Sequence, residues 1–190
     1  MVLMALIDIL TPTKVLIGTL SMAANLSAPL LVVFGGINVG GKRSGLYMWD
    51  YLSTITDRFH IFVAYDNNVN GTLAYSSLMS TLQAQGGIPN QQILYLFSGG
   101  YRPGMTLLNS RGAGLFSSIY LVDIWMGSDV IGNYYKSLVD ANAAKITYIS
   151  TKNGASNDKV RAYIANKVGP RAIWFEGQHM QTNTKAVALL

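Results

Sequence analysis

Short runs of apolar, β-branched and aromatic residues recur along the chain and alternate with longer segments of helical spacing. The runs are Leu30–Phe34, His60–Tyr65, Gln91–Phe97, Ser118–Asp123, Lys145–Ser150 and Ala172–Phe175. Near-continuous apolar runs of this length suit strands covered on both faces. Between them, Ser44–Thr56, Thr72–Gln85, Gly104–Ser110, Asp129–Ala143 and Asp158–Val168 read as helices, and Gly86-Gly87 and Gly169-Pro170 supply stop signals. Alternation of this kind predicts an α/β fold: a mostly parallel sheet with helices on both faces, a compact three-layer sandwich. In such sheets ligands bind beyond the carboxyl ends of the strands, so the residues that follow each run are the candidates for function.

Composition narrows the chemistry. The chain has 190 residues, half of them apolar and only 12% charged, which suits a single α/β domain over 1–190 with a large core. Residues 1–28 are read as an N-terminal segment that packs on this domain, its local structure left open. Cysteine is absent and only His60 and His179 offer imidazole, so disulfides, thiolate metal sites and the usual zinc sites are not expected, and no cofactor or metal is implied. The net charge of +5 is thinly spread, with Lys42-Arg43 the only adjacent basic pair, so nucleic acid is not indicated as a partner. From Val15 to Gly41 no residue is charged, which raises a membrane span or a signal peptide. Asn25, Ser27, Pro29 and Asn38 interrupt the stretch, and Asp8 and the late Lys14 fit a signal peptide poorly. A cytoplasmic location is favoured and secretion is the alternative.

The strand exits carry Gly35-Gly36, Asp66, Ser98-Gly99-Gly100, Asp123, Asn153 to Asp158, and His179. Leu96-Phe97-Ser98-Gly99-Gly100 resembles the nucleophile elbow of the α/β-hydrolase family, with Leu96 where the motif has its first glycine. Val33-Phe34-Gly35-Gly36 looks like the oxyanion loop of that family, and Gly154 to Val160 is similar to the loop that brings its acid. The resemblance covers about Leu30 to His179 and implies a Ser-His-Asp triad, because the order serine, acid, histidine is the order this family uses. By that likeness Ser98 is the nucleophile, His179 the base and Asp158 the acid, with Asp123 as rival acid. The oxyanion hole would use Gly99 together with Gly36 or Ile37. A serine hydroxyl needs an imidazole to take its proton, and the imidazole needs a carboxylate to fix its tautomer.

The departures are specific. The side chain of Leu96 threatens to crowd the tight turn, the segment after it is a weak helix containing Pro103, and the chain leaves little room for a lid or for leading antiparallel strands. His60 is read as structural, Asp66 as a turn residue, and the tyrosines and tryptophans as core. The expected activity is hydrolysis of an ester or other acyl bond of a small-molecule substrate through an acyl-enzyme. The alternative is a non-catalytic domain of the same fold that binds or supports a protein assembly partner. A Rossmann-like nucleotide binder is a weaker third reading, since Gly35 to Gly41 is only a loose substitute for G-x-G-x-x-G.

Overall fold

A computed structural model describes residues 6–36, 44–152 and 158–190. The strands are β1 (Leu6–Leu10), β2 (Leu16–Ser21), β3 (Leu30–Phe34), β4 (His60–Ala64), β5 (Gln92–Phe97), β6 (Ser118–Val122), β7 (Ile146–Thr151) and β8 (Ala172–Phe175). The helices are α1 (Ser44–Leu52), α2 (Gly71–Ala84), α3 (Tyr101–Arg111), α4 (Asp129–Asn142), α5 (Asp158–Val168) and α6 (Thr182–Val187). All eight strands form one sheet in the order β1-β2-β4-β3-β5-β6-β7-β8. Pairing is parallel from β4 across to β8 and antiparallel for β1 with β2 and β2 with β4.

The predicted sandwich is present, and the sequence shows why. Every residue of β3, β4 and β5 is buried, so alternate side chains feed two cores. Leu30, Val32, Phe34, Leu94 and Leu96 pack with Leu78, Leu107, Tyr135 and Ile164 of α2 to α5. On the other face Leu31, Val33, Tyr95 and Phe97 pack with Met48 and Leu52 of α1 and Val187 of α6. Side-chain caps start two of the helices: Asn70 Oδ1 accepts from Leu73 N at 3.0 Å, and Ser128 Oγ from Ile131 N at 3.4 Å.

The N-terminal segment corrects the expectation of a chain too short for leading antiparallel strands. β1 and β2 form a hairpin whose turn closes through Thr11 N and Val15 O at 2.9 Å, and β2 pairs antiparallel with β4. Half of the described part of the uncharged stretch, Val15 to Gly36, is sheet, Leu16–Ser21 and Leu30–Phe34. Among the described residues no helix is long and apolar enough to cross a membrane. His60 has the structural role expected of it: its Nδ1 accepts from Ala23 N at 3.1 Å, pinning the link between β2 and β3.

Strand order fixes where a site can lie. The chain leaves β3 to form β4 on one side and returns to form β5 on the other. The carboxyl ends of β3 and β5 thus lie side by side with their crossovers departing to opposite faces, which opens a crevice there. Gly35-Gly36 and Ser98 are the residues at those two ends.

Candidate active site

Ser98 ends β5 with φ at 51°, a left-handed conformation that costs a non-glycine residue about 1–3 kcal/mol. A single tight turn over Ser98–Gly100 leads straight into α3. The turn closes against the end of β3, since a Cβ on Gly100 would lie 2.1 Å from Phe34 O. Gly36 is equally confined: a Cβ there would lie 2.8 Å from Ser98 Cβ, 3.1 Å from Ser98 Oγ and 2.9 Å from the Tyr47 hydroxyl. Burial pushes the Tyr47 phenol up to about 12, with a backbone hydrogen bond from Gly36 opposing the rise. Gly99 N–H lies in the first turn of its helix, where amides have no intrahelical acceptor. Ile37, named with Gly36 for the oxyanion hole, lies outside the described residues, as does most of the Gly154–Val160 loop.

The two suspected defects of the elbow have structural answers. Leu96 is fully buried, and α3 makes room for it with Gly104, whose absent Cβ would fall 2.6 Å from Leu96 Cδ1. The helix after the elbow is longer than its composition suggests, eleven residues from Tyr101. Pro103 sits in its first turn, where a missing N–H costs nothing.

His179 opens a short turn after β8, held by a reciprocal cap between Gln178 and Gln181. Its Nδ1 lies 2.5 Å from Asp123 Oδ2, and its ring stacks on Phe97 at 4.7 Å between centroids. Asp123, just past β6, is buried with φ at 42°, a turn that swings its carboxylate toward β7. There Oδ1 accepts from Ser150 Oγ at 2.7 Å and Thr151 N at 3.3 Å, and Oδ2 from Thr151 Oγ1 at 3.2 Å. Burial acts to raise the Asp123 pKa, but the hydrogen bonds from His179, Ser150 and Thr151 outweigh it and hold the carboxyl below its ordinary value. An ionised carboxylate at Nδ1 makes that nitrogen the N–H donor and leaves Nε2 as the acceptor.

Asp158 does not meet His179. Its side chain is 89% exposed and pairs with Arg161 Nη1 at 3.1 Å in the first turn of α5. Arg161 is itself buried, donates to Ser150 Oγ at 3.0 Å and to Thr151 O, and lies over the Trp174 ring. The carboxylate at the histidine is therefore that of Asp123, the rival, and Asp158 braces the arginine behind it. Asp66 closes a turn as expected, its Oδ1 accepting from Asn68 N at 2.7 Å.

Ser98 Oγ and the His179 ring are not joined by a hydrogen bond; Phe97 and Asp123 bring their elements together. Apo catalytic hydrogen bonds are often long and tighten only around substrate. Beside Ser98 a cavity of about 230 Å³ is lined by Asn67, Ser98, Gly99, Tyr101, Arg102 and Trp125. Asn67, Arg102 and Trp125 line this cavity without having been expected there from the sequence. Asn67 and Trp125 lie three residues past a strand end and Arg102 five, and that nearness to the strand ends is the signal that could have found them.

The fold matches known structures over nearly the whole chain. The carboxyl esterase 2 of the fungus Tuber melanosporum superposes with a TM-score of 0.62 at 13% identity, covering 98% of this chain and 83% of that one. Est1E from Butyrivibrio proteoclasticus gives 0.59 at 11% identity, covering 96% and 95%. A predicted CIB-like hydrolase from Thermoplasma acidophilum gives 0.60 at 13%, covering 98% and 96%. The chain has the α/β-hydrolase fold. No family model matches the sequence, and no curated protein does. At such identities the likeness is one of fold. Within the α/β-hydrolase fold, the link from β6 to α4 is here a short loop, Asp123 to Ser128.

Proposed function

We propose that the protein is a serine hydrolase that cleaves an ester or other acyl bond through Ser98, His179 and Asp123. The observation that carries this reading is the His179 Nδ1–Asp123 Oδ2 contact of 2.5 Å, on a fold whose strained elbow presents Ser98 at the switch point. Asp123 holds the imidazole in the tautomer with Nε2 free to take a proton. Ser98 Oγ attacks the substrate carbonyl and passes its proton to His179 Nε2. The oxyanion of the tetrahedral intermediate is received by Gly99 N–H and a second amide from the Gly36–Ile37 loop, each donor lowering the barrier by about 3 kcal/mol. The ester C–O bond then breaks, and His179 returns the proton to the leaving alcohol. Water repeats the sequence on the acyl-enzyme and regenerates Ser98.

Turnover of 4-nitrophenyl butanoate tests this. Ser98→Ala and His179→Ala are each expected to lower kcat by about three orders of magnitude or more. Equal turnover by wild type and Ser98→Ala would refute the assignment. The absent Ser98–His179 hydrogen bond favours a second reading, a non-catalytic domain that binds a partner. Folded wild-type protein inert toward activated esters would support it.

A further inference from the structure

The cavity beside Ser98 has a polar end that acyl transfer does not use. Asn67 is 4% exposed and lines this cavity, yet among the described residues its carboxamide has no hydrogen-bond partner. That amide is not among the buried unpartnered side-chain atoms, so it opens onto the cavity, where a ligand can meet it. Arg102 lines the same cavity: its Nε donates to the Tyr101 hydroxyl at 2.9 Å, and Nη1 makes a long contact with Asn68 Oδ1, next to Asn67, at 3.4 Å. All nine Asp and Glu side chains lie among the described residues, and none of them forms an ion pair with Arg102. The cavity also has an aromatic lining: the Tyr101 and Trp125 rings stand 5.6 Å apart, and Trp125 is 41% exposed.

We propose that the site takes esters whose acyl part ends in a carboxylate, the half-esters of short dicarboxylic acids. This rests on the serine-hydrolase reading of the same site. The carboxylate is received by the Arg102 guanidinium and the Asn67 amide N–H, and the intervening methylenes lie against Tyr101 and Trp125. The anion belongs to the acyl part because Ser98 and Gly99, which hold the acyl carbonyl, open directly into this cavity. One cation matches one negative charge. A phosphate of up to two charges would leave an excess, with the Asp66 carboxylate engaged at Asn68 close by. The chemistry is the acyl transfer already described: Ser98 Oγ replaces the alcohol oxygen on the acyl carbon, and water releases the diacid.

The test compares 4-nitrophenyl hydrogen glutarate with 4-nitrophenyl pentanoate, which carry acyl chains of equal carbon number, after subtraction of spontaneous hydrolysis. Wild-type kcat/KM is expected to favour the glutarate by about tenfold or more, as a charge-assisted hydrogen bond warrants. Arg102→Gln is expected to erase that preference, and high salt to weaken it. Arg58→Gln, which removes an exposed charge before β4 at the opposite end of the sheet, is expected to keep it. A wild-type ratio near one, or a ratio indifferent to Arg102→Gln, overturns the proposal. If pentanoate is turned over by Ser98 without a glutarate preference, only the substrate class fails. If neither ester is turned over, the hydrolase reading fails with it.

Discussion

Leu96 fills the space that a side chain on Gly104 would occupy: a Cβ there would lie 2.6 Å from Leu96 Cδ1. A strand residue and a helix residue have exchanged bulk across the elbow. A first glycine in the elbow motif would leave room for the helix, and here the helix supplies the glycine instead. Gly104→Ala is expected to cost about 1–3 kcal/mol by overpacking, and Leu96→Ala about 2–5 kcal/mol by leaving a cavity. The double variant should lose less than the sum, with a coupling of about 0.5 kcal/mol or more. Urea denaturation of the four proteins measures this, and strict additivity would show that the two residues do not share the space.

Asp123 and Asp158 are separated by their partners, one held by His179 and the other by Arg161. Asp123→Asn is expected to lower kcat on an activated ester by about three to four orders of magnitude, because the imidazole then settles in the wrong tautomer. Asp158→Asn removes an exposed carboxylate from the buried Arg161, which keeps Ser150 Oγ and Thr151 O as acceptors, so kcat should fall far less than in Asp123→Asn. A larger kcat loss for Asp158→Asn than for Asp123→Asn would reverse the assignment.

These two acids also show how far the sequence could be read. The parallel strands were legible because β3, β4 and β5 are buried on both faces and so are written as apolar runs. β1 was not, because it is an edge strand with Leu6 and Leu10 exposed and only Ile9 buried. Ser98, Gly36 and His179 were named from their places at strand exits together with the likeness to the α/β-hydrolase elbow, oxyanion loop and base. Which acid reaches the histidine depends on the left-handed turn at Asp123 and on the hydroxyls of Ser150 and Thr151, which no local pattern announces. Asn67 and Arg102 were hidden for the same reason: a strand end can be predicted, but the direction of its side chains cannot.

Acid should expose the same carboxylate. Asp123 binds its proton more weakly in the folded protein than at its ordinary value of 3.8, so its contribution to stability is present above that value. The contribution is lost as pH falls through the lower folded value. Urea midpoints measured from neutrality downward are therefore expected to fall more steeply below about pH 4 for wild type than for Asp123→Asn. Parallel curves would indicate that the carboxyl titrates alike in the folded and unfolded chain.

Covalent capture of Ser98 bears most directly on the central claim. Folded wild-type protein is treated with a fluorophosphonate, and the intact mass and the labelled peptide are then read by mass spectrometry. A single adduct on Ser98, absent from Ser98→Ala and strongly slowed in His179→Ala and Asp123→Asn, is the expected result. An unlabelled wild-type protein, or an adduct that persists in Ser98→Ala, would contradict it.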